Sequence, residues 1–245
     1  MQNTQATKNT TNTTNTRKSS RHQQLFLIHQ HLTTLHKNNV NKLSIILVAV
    51  VALGSGLYFG TQHSGKPDLS QLTGFSFPEP EKLSDVNLVD HNNNPLTEEN
   101  FSDKWTFIYV GYTFCPDACP MSLNTLNQMD GLLNQQDGPK ASSLLVSVDP
   151  ERDTPEHMKG YVKHFNSGFS GATGTPEAIK QFADQVSAIY SVPEDRSDPN
   201  YLVDHSSSII LINPDAAVQA IFTPPQSAEV LAKDFKLLVA HYESR

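Results

Sequence analysis

The chain has 245 residues, with 18 Lys plus Arg against 25 Asp plus Glu and a formal charge of −7 at pH 7, a balance that argues against a nucleic-acid binder. Cys115 and Cys119 are its two cysteines, which excludes a disulfide scaffold or a four-cysteine zinc site by count. The charge is unevenly placed: residues 1–42 hold six basic and no acidic side chains, leaving 12 basic against 25 acidic, a net −13, for the rest.

Residues 1–42 are rich in Asn, Thr and Gln and lack the apolar side chains that would offset ordering entropy, so a disordered basic tail is expected. His22, His29, His31 and His36 lie in it, at spacings that fix no metal geometry and read as solvated side chains. Residues 43–60 carry no charge. At a rise of about 1.5 Å per residue such a helix spans roughly 27 Å, enough for a transmembrane anchor. Lys37 and Lys42 precede it, and Arg17, Lys18 and Arg21 lie farther back, which orients the N-terminus to the cytoplasm and residues 61–245 to the other side. A cleaved signal peptide fits less well, since a polar region of 42 residues is long for one and no clear A-x-A site follows.

Residues 61–245 suffice for one domain with its own core. Short strands near 79–90 are expected to form an edge hairpin. Trp105 to Phe114 reads as a buried aromatic and β-branched strand ending at the first cysteine. Beyond Pro120, Leu123, Leu126, Met129 and Leu133 recur at helical spacing until Gly138-Pro139. A strand over Ser143 to Val148 follows. Asp153 and Thr154 before Pro155 then suit the cap and first turn of a second helix. A third helix is expected from Pro176 to about Tyr190, and residues 191–200, with two prolines and four charges, read as an exposed loop leading into Tyr201 to Val203. Ser208 to Ile212 and Val218 to Phe222 form a hairpin across Asn213-Pro214-Asp215, and a closing helix over Ala228 to Tyr242 turns Val230, Leu231, Phe235, Leu238 and Val239 inward. The order β-α-β-α-α-β-β-α describes an α/β domain whose central sheet is covered by helices.

The cysteines stand four residues apart in Gly-Tyr-Thr-Phe-Cys115-Pro-Asp-Ala-Cys119-Pro, where strand gives way to helix. On one helical turn they share a face, Pro116 suits the first helical position, and the helix N-terminus favours thiolate. The pair is thereby primed for soft-metal binding or for redox exchange. A purely structural bridge is disfavoured, because closing so short a loop removes only about 2 kcal/mol of unfolded-state entropy. Asp117, between the two, is expected to raise the thiol pKa through its charge. Met121 is read as core packing rather than an axial sulfur ligand. His157, His164, His241, His63 and His91 read as surface or half-buried side chains, and Asp204 as a turn cap rather than a partner orienting His205.

These residues resemble the SCO/SenC family of membrane-anchored, thioredoxin-like copper proteins that serve cytochrome c oxidase assembly. The resemblance runs from about Leu72 to Tyr242. It rests on Cys115-Pro116-Asp117-Ala118-Cys119-Pro120, on Ser147-Val148-Asp149-Pro150-Glu151-Arg152-Asp153-Thr154-Pro155, and on Val203-Asp204-His205 before a strand. It implies a thioredoxin-like central mixed β-sheet flanked by helices, with Cys115, Cys119 and His205 as copper ligands. Two thiolates and an imidazole also suit Cu(I) as soft to borderline donors, and with a further ligand Cu(II). Ala118 departs from the bulkier residue often found there.

The function implied is that of a metallochaperone, held by a single span in the inner membrane with its domain in the periplasm or the mitochondrial intermembrane space. It would receive copper from a donor chaperone and deliver it to the copper-bearing subunit of cytochrome c oxidase. The alternative is a thiol/disulfide oxidoreductase using Cys115 and Cys119 to keep the oxidase's copper-site cysteines reduced, which would not need His205. Thioredoxin-type enzymes separate their cysteines by two residues, and three intervene here, which favours the chaperone. A peroxidase would need an arginine beside one cysteine, for which Arg152 is the nearest candidate.

Overall fold

The computed structural model describes residues 42, 44–56 and 66–245. Most of the expected tail with its four histidines, His63 and the ends of the expected anchor lie outside the described residues. Residues 44–56 are helical, and among the described residues no helix is long and apolar enough to cross a membrane.

The unit Lys66–Arg245 is built in chain order from β1 (Phe75–Lys82), β2 (Leu88–Asp90), β3 (Pro95–Leu96), β4 (Trp105–Gly111), α1 (Ala118–Gln135), β5 (Ala141–Ser147), α2 (Pro155–Phe165), β6 (Ser170–Thr173), α3 (Pro176–Gln185), β7 (Tyr190–Ser191), β8 (Asp204–His205), β9 (Ile209–Ile212), β10 (Ala217–Phe222) and α4 (Ala228–Glu243). Eight strands form one sheet in the order β1-β10-β9-β4-β5-β6-β2-β3, and β7 and β8 form a separate two-stranded ribbon. The sheet is mixed: β4 runs parallel to β5 and β5 to β6, and the other pairs are antiparallel.

Every residue of β4 is buried, as a central strand covered on both faces requires. Successive side chains go to opposite faces. Phe107 and Tyr109 join one core with Leu123, Leu126, Met129, Met158, Val162, Leu231 and Phe235, from α1, α2 and α4. Ile108 and Val110 join the other with Phe101, Ile179 and Phe182. Phe235 bridges the first core, its ring 5.1 Å from that of Phe107 and 5.6 Å from that of Trp105. The caps follow the residue chemistry: Thr154 accepts from His157 N and Thr175 from Ala178 N, each followed by a helix-starting proline, and Ser227 accepts from Val230 N.

Four local expectations are corrected. No hairpin forms over 79–90: β1 lies at one edge of the sheet, and β2 and β3 end the other. Pro78 and Pro80 cannot donate to a ladder, and β1 accordingly shifts register between Ser76 and Glu81. The strand β6, Ser-Gly-Ala-Thr, went unseen because its residues lack the bulk that marks a strand. The third helix stops at Gln185, Ser187 turns with φ 57°, and Tyr190 is released to pair with His205. In α4 Val230 is half-buried, whereas the other four residues expected inward are buried.

Candidate metal centre

The site lies where β4 ends. Cys115 sits in the turn after the strand, its N–H donating to Tyr112 O at 3.3 Å, and Cys119 lies in the first turn of α1. The helix therefore begins at Ala118, with Pro116 ahead of it and not at its first position. Cys115 is half-buried and Cys119 is 0% exposed. Gly111 makes room for the second sulfur: a Cβ added there would lie 2.5 Å from Cys119 Sγ and 2.9 Å from Tyr109 Cε1. The backbone N–H of Tyr112 donates to Cys119 Sγ at 3.4 Å.

His205 arrives from the β7–β8 ribbon, paired across it with Tyr190. Its Nδ1 stands 3.2 Å from Ser206 O. A carbonyl can only accept, so this contact assigns the proton to Nδ1 and leaves the Nε2 lone pair free. Nε2 lies 3.6 Å from Cys119 Sγ, and the donor atoms of Cys115, Cys119 and His205 all lie within 4.8 Å of one another. For metal–sulfur and metal–nitrogen bonds of about 2.3 and 2.0 Å meeting at about 120°, the sulfur–nitrogen separation is about 3.7 Å. The rings of Tyr109 and Tyr112 stand edge-on to His205, at 5.9 and 5.7 Å.

The two thiols share one proton unequally. Cys115 is pulled well below the usual thiol range, first by a hydrogen bond from Cys119, with further help from the backbone N–H groups of Cys119 and Asp117. Cys119 is pushed up by that same bond and then by its burial. Asp117 thus helps the Cys115 thiolate through its backbone, opposite to the effect expected of its charge.

A polar frame surrounds the cluster. Arg152 Nε donates to Asp149 Oδ2 at 2.5 Å and Nη1 to Pro199 O at 3.0 Å, while the guanidinium lies 3.5 Å from the Tyr201 ring centroid. Its Nε and Nη1 are thus turned to Asp149 and to the chain before His205. Asp153, expected near the helix cap, is 0% exposed. It accepts from Thr113 N, Thr113 Oγ1 and Ser147 Oγ, so it ties the β4 turn to β5 and leaves the capping to Thr154.

The remaining side chains considered from sequence fall elsewhere. Met121 is 64% exposed and no part of the core. His91 is 6% exposed, its Nδ1 accepting from Gly171 N at 2.7 Å, so it is a core histidine. His157 Nε2 lies 2.9 Å from Thr113 Oγ1, with its ring stacked on Phe114, and His241 Nδ1 lies 3.1 Å from Pro67 O. Asp204 is exposed and pairs with Ser191 in the ribbon. Gly111, Tyr109 and Tyr112 escaped the sequence reading, because a strand-end glycine and two strand tyrosines look like ordinary core.

The family model described as SCO1/SenC matches residues 78–240. A protein named sco1 from Schizosaccharomyces pombe is 30% identical over 195 residues, 78% of this chain and 73% of that protein. An SCO2-like protein from Rickettsia conorii is 34% identical over 182 residues, 72% of this chain and 86% of its own length. Among solved structures, Arabidopsis thaliana ScoI with copper bound superimposes with a TM-score of 0.60 at 32% identity, covering 64% of this chain and 97% of that one. Yeast Sco1 with copper bound gives 0.61 at 28% identity, covering 67% and 91%. With a mixed sheet flanked by helices and a matching segment that contains all three clustered donors, this chain belongs to the SCO1/SenC family.

Proposed function

We propose that this chain is a membrane-anchored copper metallochaperone that binds Cu(I) or Cu(II) through Cys115, Cys119 and His205 and delivers it to the binuclear copper centre of cytochrome c oxidase. The observation that carries the reading is the meeting of three donors within 4.8 Å, one of them 86 residues distant in sequence from its nearest partner. Two sulfurs and one imidazole suit Cu(I) by softness. The naming of relatives with copper bound supports the same choice. Copper is cargo here: three protein donors leave a side open, through which a thiolate of the copper-bearing oxidase subunit can displace them by ligand exchange. A donor chaperone fills the site beforehand. The uncharged stretch 43–60 serves as the anchor, with the domain in the periplasm or the mitochondrial intermembrane space.

X-ray absorption on the full chain loaded anaerobically with Cu(I) tests this directly. One copper with two sulfur neighbours and one nitrogen is expected; a sulfur-only shell removes His205 from the site. His205→Ala should lower copper binding and oxidase assembly together while dithiol oxidation continues.

A second reading, thiol/disulfide exchange on the oxidase cysteines, is favoured by one feature. The accessible Cys115 is the sulfur held as thiolate, and Cys119 lies buried behind it as a resolving partner. Oxidase assembly that survives His205→Ala and fails on Cys115→Ser selects this reading.

A further inference from the structure

His205 sits on a strand of two residues, and the chain leading to it from 194 to 200 is exposed throughout. So short a strand cannot fix a ligand by itself. The segment just before it is nevertheless held at several points. Tyr201 Oη donates to Asp149 Oδ1 at 2.7 Å, while Arg152 Nε donates to the other oxygen of the same carboxylate at 2.5 Å. The Arg152 guanidinium stacks on the Tyr201 ring at 3.5 Å and donates to Pro199 O at 3.0 Å. Val203 N donates to Tyr112 Oη at 3.2 Å. Arg152 also lies 4.8 Å from the centroid of Phe114, the residue before Cys115. One half-buried side chain thus touches both the turn that carries the first sulfur and the loop that carries the imidazole.

We infer that Arg152 is a positioning residue for this site: clamped by Asp149 and stacked on Tyr201, it latches the 199–203 segment and so holds His205 over the two sulfurs. The inference rests on the copper reading given above. The latch needs a planar fork. A guanidinium can donate to Asp149 and to Pro199 in its plane while its face lies on an aromatic ring, and an ammonium cannot. With the latch open the 192–203 loop gains freedom, and the imidazole spends less time within bonding distance, while Cys119, carried by α1, and Cys115, in the short turn between β4 and α1 with its N–H bonded to Tyr112 O, keep their places. The coupling is therefore specific to the nitrogen ligand.

The test is a double-mutant cycle on the purified, reduced full-length chain, with Cu(I) affinity measured by competition against a chromogenic chelator. Arg152→Lys and Tyr201→Leu should each weaken Cu(I) binding by about tenfold or more, the range for partners one step removed from a metal ligand. In a His205→Ala background the same changes should matter by less than about twofold, because the residue they act through is gone. X-ray absorption of Arg152→Lys should show the nitrogen neighbour weakened and both sulfurs retained. Tyr201→Leu attacks the latch from the loop side and reports on it even where the Arg152 variant folds poorly. Unchanged affinity in both variants overturns the inference, as does a loss equally large with and without His205. Wild-type protein whose copper has no nitrogen neighbour removes His205 from the site, the part of the copper reading on which the latch rests, an outcome visible before any latch variant is made.

Discussion

Gly111→Ala probes how little space the second sulfur has. The added Cβ would stand 2.5 Å from Cys119 Sγ and 2.9 Å from Tyr109 Cε1, where ordinary contacts between heavy atoms lie at about 3.5–4.0 Å. A gap of about 1 Å must open in a place where Cys119 and Tyr109 are both 0% exposed. Neither neighbour yields easily. Gly111 is fixed on β5, pairing with Ser147 and accepting from Val148 N at 2.9 Å, and Cys119 is carried by the first turn of α1. Forcing a methyl group into such packing costs about 1–3 kcal/mol, which for a domain of this size lowers the melting temperature by roughly 2–12 °C. The larger effect falls on the metal. Binding constellations work only when held to within about 0.5 Å, so Cu(I) affinity should fall by about tenfold or more. Scanning calorimetry and chelator competition on the same preparation measure the two losses. A variant that melts and binds as the parent does would show that Cys119 has slack, refuting the tight seat inferred for it.

Two further outcomes follow from protonation. His91 is a buried acceptor whose pKa is lowered from 6.5, chiefly by burial, with nearby Lys163 adding to the effect. Above pH 6.5 neither folded nor unfolded chain protonates it. Below that, the unfolded chain takes up a proton that the native state resists, so stability falls as pH drops through the range below 6.5. His91→Asn keeps an acceptor for Gly171 N and removes the titration; urea melts at pH 7 and pH 5 should show a smaller acid loss than in the parent, and an equal loss would dismiss His91 as the cause. The thiols differ in the other direction. Iodoacetamide should label Cys115 first, at a rate that holds from pH 8 to pH 6, where a thiol of ordinary pKa slows about tenfold per unit. Peptide mapping that finds Cys119 modified ahead of Cys115 would contradict the proton placement.

Elements with strong local patterns were legible from the chain alone. The apolar run of β4, the i, i+3, i+6 and i+10 leucines and methionine of α1, and the Thr-Pro starts of α2 and α3 each carry a periodicity or cap that packing then obeys. Elements made by pairing alone were not. The small residues of β6 are strand because β5 and β2 lie on either side, and Tyr190 left its expected helix because His205 offered a partner. Both outcomes depend on contacts remote in sequence, which override local propensity.

The candidate site divides in the same way. Residue chemistry picked out two thiols at a strand-to-helix junction, primed for a soft metal or for redox exchange, and the family resemblance added His205 as their third partner. Tertiary structure decided the rest: which sulfur keeps the proton, why Gly111 must lack a side chain, and which arginine and tyrosine hold the loop. Burial and hydrogen bonding set the thiol asymmetry, close approach sets the glycine, and stacking across 49 residues of sequence sets the latch between Arg152 and Tyr201. None of these leaves a mark along the chain, because each is a property of distances between residues that only folding brings together.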